Sequence, residues 1–536
     1  MADNKGAAII KRADALRTIR LPQEQPWRDV FDYSFPSRVD GFDGEVRDAT
    51  NTQDQLARLT DSTLAESAQI LTSNIQAGMT PANAVWTGFQ TPQQSQEESL
   101  WFDACATTIW QHIHASNFDA EDYEATLEMV LAGWGVLFID EDRDAGGYVF
   151  QWWPISGCYI AQSKPGGKVD TIYRPYKLTA EQAVNQFSLR GDQLSDAVRE
   201  CAMKKPDELI EFVQAIYPRK GGVQGAAMAR NLPFASCHVE RKTAKLVRES
   251  GFHEQPFTCF RWSVLPNLPY GMGPASVALP DAKMLNGVKR LEYQNLDMAV
   301  AGMWIAEDDG VLNPRNVKVG ARKIIVANSV DSMKALQPAT NFQIAFMSEE
   351  KLQAQIKRVM MADHLTPREG PVETAAAVYE RISLLRQLLG PLYGRLQSEK
   401  LKTLVERCFG IAMRAGVLPP MPESLQGKQA TVSYRSPFAR AQKMEEVAAI
   451  ERAWMSAGQI AVAKQDPGAM DNLDADASVI EITKAVGAEK ILRDPKVVAL
   501  IRKQREDAQQ AAKQQEMAQP IVQEAGKALA QNMVNA

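Results

Sequence analysis

The most regular apolar pattern lies between Thr374 and Ala415. Here Val378, Ile382, Leu385, Leu389, Leu392 and Leu396 recur at alternating steps of four and three. Such steps return to one side of an α-helix, so the spacing predicts a helix with a buried stripe. Burying each large side chain is worth ~1.5–3 kcal/mol, which makes this a core element. Pro391 has no N–H to bond residue 387, and a kink is expected near Gly390. Beyond it Leu401, Leu404, Cys408 and Ile411 resume the stripe after a one-residue slip, and Gly416, Pro419 and Pro420 end it.

Upstream, helix and strand periods alternate. Residues 1–50 read as a polar N-terminal segment. Asp54 to Ala77 reads as one amphipathic helix closed by Gly78, and TPANAVWTGFQTP as a turn. Helices are predicted from Glu97 to His114 and from Ala120 to about Ala132, the latter ending at Gly133. VLFIDED and YVFQWW form a hairpin around AGG, and CYIAQ and VDTIYRPYKL another around Gly166 and Gly167. Thr179 is the N-cap of a short helix to Phe187. FVQAIYPR, HVERKTAKLVRES and FTCFRWS add strands, giving an antiparallel α+β domain from about residue 50 to 270.

A Pro- and Gly-rich junction, LPNLPYGMGPASVALP, precedes a helix from Asp281 to Val300 with Leu285, Val288, Leu291, Asn295 and Met298 on one face. A charged insert follows, leading into the strand-like IIVAN. Ser348 then opens a helix with Glu349 and Glu350 in its first turn and Leu352, Ile356, Val359 and Met360 on its apolar face. HLTPREGP separates it from the long helix. Past that helix, QATVSYRSPFA reads as a last strand and residues from Ala441 as helical. The tail from about Arg502 reads as a solvated or partly disordered stretch. The apolar stripes flanking the insert read as faces for self-association more than as internal core.

Length adds that 536 residues exceed one core, and at ~150 residues per domain the chain should hold three or four folded parts. A net charge of −5 argues against tight sequence-independent DNA binding, which needs many cations on phosphates. It permits a surface that DNA slides past. The six cysteines form no CxxC pair, so they read as buried thiols rather than zinc ligands or disulfides. No run of ~20 apolar residues or signal-peptide pattern is present, so neither a membrane span nor export is expected.

Signatures of catalysis are missing: no GxxxxGK[ST], HExxH or GxSxG occurs. Gly271-Met272-Gly273 begins a dinucleotide pattern, but Pro274 follows it. His112 and His114 sit on different sides of a helix. Cys237 and His238 point to opposite faces of a strand and read as a buried thiol beside a surface imidazole. The expectation is a protein without catalytic residues, metal or cofactor.

Three stretches taken together carry a resemblance. They are YGMGPASVALPDAKMLNGV at the junction, the acidic EDDG at 307–310, and TAAAVYERISLLRQLLGPLYGRLQSEKLKTLVERCFGIAMRAGVLPP. In these and in the order of its parts, the chain resembles the portal, or head-to-tail connector, proteins of short-tailed bacteriophages. The resemblance covers most of residues 50–440 and implies an α+β, predominantly helical portal fold. Residues 51–272 would be the wing, 273–300 and 347–362 the stem helices, and 301–346 the clip. Residues 363–373 would be a tunnel loop, 374–437 the long helix and wing return, and 438–536 the crown and tail.

The resemblance further implies a ring of twelve copies at one capsid vertex, assembled in the host cytoplasm. Double-stranded DNA would pass through its tunnel, driven by a terminase motor. Major capsid, scaffolding and tail adaptor proteins would be its other partners, with no membrane involved. Asp363, His364, Thr366, Arg368 and Glu369 would face DNA. In the clip, Glu307, Asp308 and Asp309 of one copy would meet Arg315, Lys318, Arg322 or Lys323 of the next. A tail adaptor or another structural virion protein is the alternative. A terminase-like motor is disfavoured by the missing P-loop.

Overall fold

The computed structural model describes residues 2–39, 42, 49–91, 95–142, 146–187, 192–301, 303–306, 333–336, 342–364, 389–425, 431–434, 437–464, 468, 470–486, 492–493 and 497–509. It is α+β and mainly helical, in two compact units. One comprises Met1–Phe89, Asp103–Pro420 and Ala430–Ser436; the other comprises Gln90–Phe102, Met421–Gln429 and Pro437–Ala536.

The N-terminal segment is helical, contrary to its polar appearance. Helix α1 (Ala2–Asp32) buries Ile9, Ala13, Leu16, Arg20, Glu24, Trp27 and Phe31. These positions step by four and three throughout, but two of them are charged, which hid the stripe. Arg20 bonds Glu24 and the carbonyls of Ile155, Ser156 and Cys158, so its guanidinium is satisfied. Pro22 and Pro26 lie on the exposed side, where carbonyls deprived of a helical partner can bond water.

The helix expected from Asp54 is two helices, α2 (Ala49–Arg58) and α3 (Thr63–Met79). Residues 59–62 leave the helix because Asp61 accepts the Thr63 N–H at 2.8 Å and starts α3 afresh. Gly78 is inside α3 and caps nothing. The segment read as a turn contains strand β1 (Thr87–Gln90). Helix α4 (Gln96–His114) follows the expected span. So does α5 (Phe118–Ala132), which stops at Gly133 with φ 97°.

Both hairpins form. Strand β2 (Trp134–Glu141) pairs with β3 (Tyr148–Trp152), and β4 (Tyr159–Ala161) with β5 (Thr171–Thr179). Thr179 caps α6 (Ala180–Gln186) through a reciprocal capping box with Gln182. Helix α7 (Asp196–Lys204) and strands β6 (Leu209–Pro218), β7 (Phe234–Glu240), β8 (Leu246–Phe252) and β9 (Phe257–Arg261) complete two antiparallel sheets. Their strand orders are β3-β2-β9 and β4-β5-β6-β7-β8. Helix α1 covers one face of the five-stranded sheet, packing Ile9, Ala13 and Leu16 on Tyr173, Val213 and Cys237. Part of the other face lies under Phe187, Leu194 and Val198 of the α6–α7 region. His238 is 8% exposed there and hydrogen-bonds Tyr176, so the surface position expected for it is incorrect.

Short strands β10 (Ser263–Val264) and β11 (Gly271–Met272) pair before α8 (Pro274–Ala301), which begins inside the presumed junction. Pro274 is tolerated there because a first-turn residue needs no N–H partner. Strands β12 (Met303–Ala306) and β13 (Met333–Leu336) pair, and α9 (Phe342–Val359) starts earlier than Ser348.

The described part of the long helix opens with α10 (389–396). A π turn at Gln397–Leu401 follows, where the Lys402 N–H bonds the Gln397 carbonyl, and then α11 (Lys402–Arg414). The one-residue slip in the apolar stripe is this π turn: the step from Leu396 to Leu401 is five, and both are buried. Strand β14 (Thr431–Tyr434) pairs with β1 as the last expected strand. In the second unit, α12 (Pro437–Lys464), α13 (Ala475–Val486) and α14 (497–509) are helical, the last largely exposed.

Candidate functional site: a polar helix junction and the helix that locks the sheet

Helices α8 and α9 pack against each other within the first unit, and the pair is fastened there by polar groups. The Asn286 carboxamide oxygen accepts the N–H groups of Thr60 and Asp61 at 2.9 and 3.2 Å, while its NH2 donates to the Ala282 carbonyl. One asparagine thus satisfies the break between α2 and α3 and ties it to α8. Lys289 reaches Asp61 at 2.8 Å and Glu349 at 2.9 Å, joining α8 to α9, and Gln353 donates to both carboxylates. Burial alone would raise the Asp61 carboxyl, but hydrogen bonds from Lys289 and Thr63 hold it below the usual range. Burial opposes the Lys289 charge, yet its two carboxylates raise its pKa overall.

The faces of α8 correct the expected stripe. Ala275, Ala278, Ala282 and Leu285 are buried, and the three alanines are small enough to let the helix lie close. Leu291 is 61% exposed, because six residues beyond Leu285 turn a helix by 600°, not onto the same side. Val277, Met284 and Leu291, spaced by seven, form a second, uncovered stripe. On α9, Ile356 and Met360 are buried and Leu352 and Val359 half-buried, as expected. Met361 at φ 56° then takes the left-handed conformation that ends a helix, and a tight turn at Ala362–His364 leads onward.

Of the predicted loop residues, the backbone of Asp363 and His364 lies in that turn, and Asp363 is half-buried. Thr366, Arg368 and Glu369 lie outside the described residues, as do Glu307, Asp308, Asp309, Arg315, Lys318, Arg322 and Lys323. The kink near Gly390 has its upstream arm outside them too.

The π turn contributes a lock that the sequence reading missed. It carries Glu399 and Lys400 inward together. Glu399 pairs with Arg261 at the end of β9 and accepts the Arg261 N–H at 3.1 Å. Lys400 meets Asp122 at 2.7 Å and Thr126 at 2.9 Å on α5, its ammonium 4.7 Å from the Phe260 ring centre. About two and four turns on, Arg407 and Arg414 share Glu254 at 3.1 and 2.6 Å. The available signal was Glu-Lys interrupting an apolar stripe at its slip.

Among the described residues no cluster of His, Cys, Asp and Glu is placed to hold a metal ion, and no helix is long and apolar enough to cross a membrane. The cysteines are free; Cys201 is half-buried and the others are buried. The arrangement fixes the α8–α9 pair to the α2–α3 break by hydrogen bonds and ion pairs.

Residues 6–492 match the family described as bacteriophage head to tail connecting protein, and the chain belongs to that family. It is 27% identical to the portal protein of Salmonella phage epsilon15, across 98% of this chain and 95% of that protein. It is 26% identical to the probable portal protein of Bordetella phage BPP-1, across 94% and 92%. A solved structure titled as the neck of an empty GTA particle aligns with 74% of this chain and 85% of that one, at 12% identity and TM-score 0.36.

Proposed function

We propose that the chain is the subunit of a portal ring at one capsid vertex, twelve copies by the resemblance, which conducts double-stranded DNA and receives the tail. The observation that carries this reading, beyond family membership, is the uncovered stripe Val277, Met284 and Leu291 on a helix whose other face is fixed to the wing. A rigid chain bearing one apolar face on a projecting helix closes into a ring when that face meets a different face of the next copy. In this reading α8 and α9 are the stem and β12–β13 the base of the clip. The acids Glu307, Asp308 and Asp309 set register against Arg315, Lys318, Arg322 and Lys323 of the neighbour. The loop after His364 faces the tunnel, with Arg368 touching phosphates briefly and Asp363 and Glu369 preventing capture. Catalysis is left to a separate motor. Terminase, capsid, scaffolding and tail adaptor proteins are the partners this role requires, and assembly occurs in the host cytoplasm.

Negative-stain microscopy of the purified protein tests it. Wide rings with a central hole are expected. Met284→Glu with Leu291→Glu should leave folded monomers by circular dichroism and sedimentation. Rings undiminished in that variant, or no rings from the parent, would overturn the reading.

A further inference from the structure

The five-stranded sheet carries a row of polar side chains on the face turned away from α1. Arg174 on β5 is in register with Gln214 on β6, Gln214 with His238 on β7, and His238 with Arg248 on β8. Residues so paired share a face, their Cβ atoms ~4.5–5.5 Å apart, so the four side chains leave the sheet in a row. Arg248 is fully engaged by Asp192 and the Gln186 carbonyl. The other three are not.

The Arg174 guanidinium lies 4.6 Å from the Trp153 ring centre and 5.7 Å from that of Tyr176, with no carboxylate or hydrogen-bond partner among the described residues. Gln214 is 8% exposed and its amide makes no hydrogen bond among those residues. His238, equally buried, engages Tyr176 through Nδ1 at 2.9 Å and leaves Nε2 without a partner among them. Arg174 is half-buried, and the unpartnered atoms of Gln214 and His238 are not sealed from solvent, so a small ion can reach all three donors.

We propose that Arg174, Gln214 and His238 form a site for a compact oxyanion of the phosphate type, bridging β5, β6 and β7. The guanidinium supplies a charged fork, which favours phosphate geometry. The Gln214 amide supplies a second donor. With the Tyr176 hydroxyl donating to Nδ1, a neutral His238 carries its proton on Nε2 and donates as well. Burial, helped by the charges of Arg248 and Arg174, lowers His238 to about 4, consistent with the neutral ring. Asp192 is the carboxylate acting on His238, and Arg248 already holds it. The depth of Gln214 and His238 restricts the ligand to a small ion and excludes a duplex.

Equilibrium dialysis of the full-length protein with radiolabelled inorganic phosphate, at fixed ionic strength in chloride near neutral pH, tests the site. Saturable binding of one phosphate per chain is expected, competed by sulfate but not by duplex DNA at equal phosphate concentration. Arg174→Lys keeps the charge and length but loses the fork, and should weaken binding at least ~10-fold. His238→Gln should weaken it as well, and Lys220→Ala, on the exposed β6–β7 connection, should not. Absent saturable binding, effective competition by duplex DNA, or unchanged affinity in folded Arg174→Lys and His238→Gln would each overturn the assignment. Should a substitution prevent folding, the parent's stoichiometry and competition profile still decide it.

Discussion

The ammonium of Lys400 stands 2.7 Å from a carboxylate oxygen of Asp122, with both side chains sealed from water. Burial pushes the Asp122 carboxyl upward and Lys400 draws it back only in part. Such a pair fixes geometry more than it adds stability, because desolvating both charges offsets much of their attraction. Removing one partner is different. Lys400→Met should lower stability by about 3–5 kcal/mol, read as a lower urea midpoint, by leaving a buried carboxylate uncompensated. Adding Asp122→Leu should recover most of the loss. A double variant no better than the single would show that the pair acts otherwise.

Glu128 gives a pH signature. Burial raises its carboxyl to about 8, against the pull of Arg38 and the Ile155 N–H. In the unfolded chain it titrates near 4.5. The folded state therefore holds a proton that the unfolded state releases. Its stabilising contribution is complete below about pH 4.5 and is lost progressively as pH rises to about 8. Glu128→Gln should flatten that slope, gaining a few kcal/mol on the parent between mildly acidic and alkaline pH. Urea midpoints at both ends of the window check it.

Asn286 predicts a local defect with a remote readout. Asn286→Ala strands the N–H groups of Thr60 and Asp61, at a cost of about 1–3 kcal/mol. Hydrogen exchange should rise at 59–63 before it rises in β6 or β7. On the proposed function, ring yield should fall although residue 286 lies on the face of α8 opposite the exposed stripe. Unchanged exchange at 59–63 would show that water replaces the carboxamide.

The segment after His364 gives the functional test. Replacing Arg368 and Glu369 by Ala, or shortening Thr366–Gly370, should leave ring assembly intact while reducing packaged or retained DNA. Variants that package and hold full-length DNA like the parent would make the segment a plain connector.

Local signals in the sequence were reliable where they were self-contained. The hairpins, the Thr179 cap and the stop at Gly133 each follow from a few adjacent residues, and each stands where expected. Two of the failures share one cause, namely charge placed inside. Helix α1 was hidden by Arg20 and Glu24 within its stripe, and the break before α3 by the backbone role of Asp61. Partners such as Asp122 and Lys400, or Asp61 and Lys289, lie far apart along the chain. Periodicity states that a face is buried but not against which charge. The candidate site was legible as two helices around an insert and a breaker; what fastens them was not.

The π turn at Gln397–Leu401 also leaves a mark in inheritance. A helix with such a turn differs from one without it by a single inserted residue, so one codon separates the two forms. Chains descended from a form without the insertion should align with a one-residue gap here. In them no adjacent Glu-Lys pair would face inward, and the positions of Arg261 and Asp122 would be free to change together.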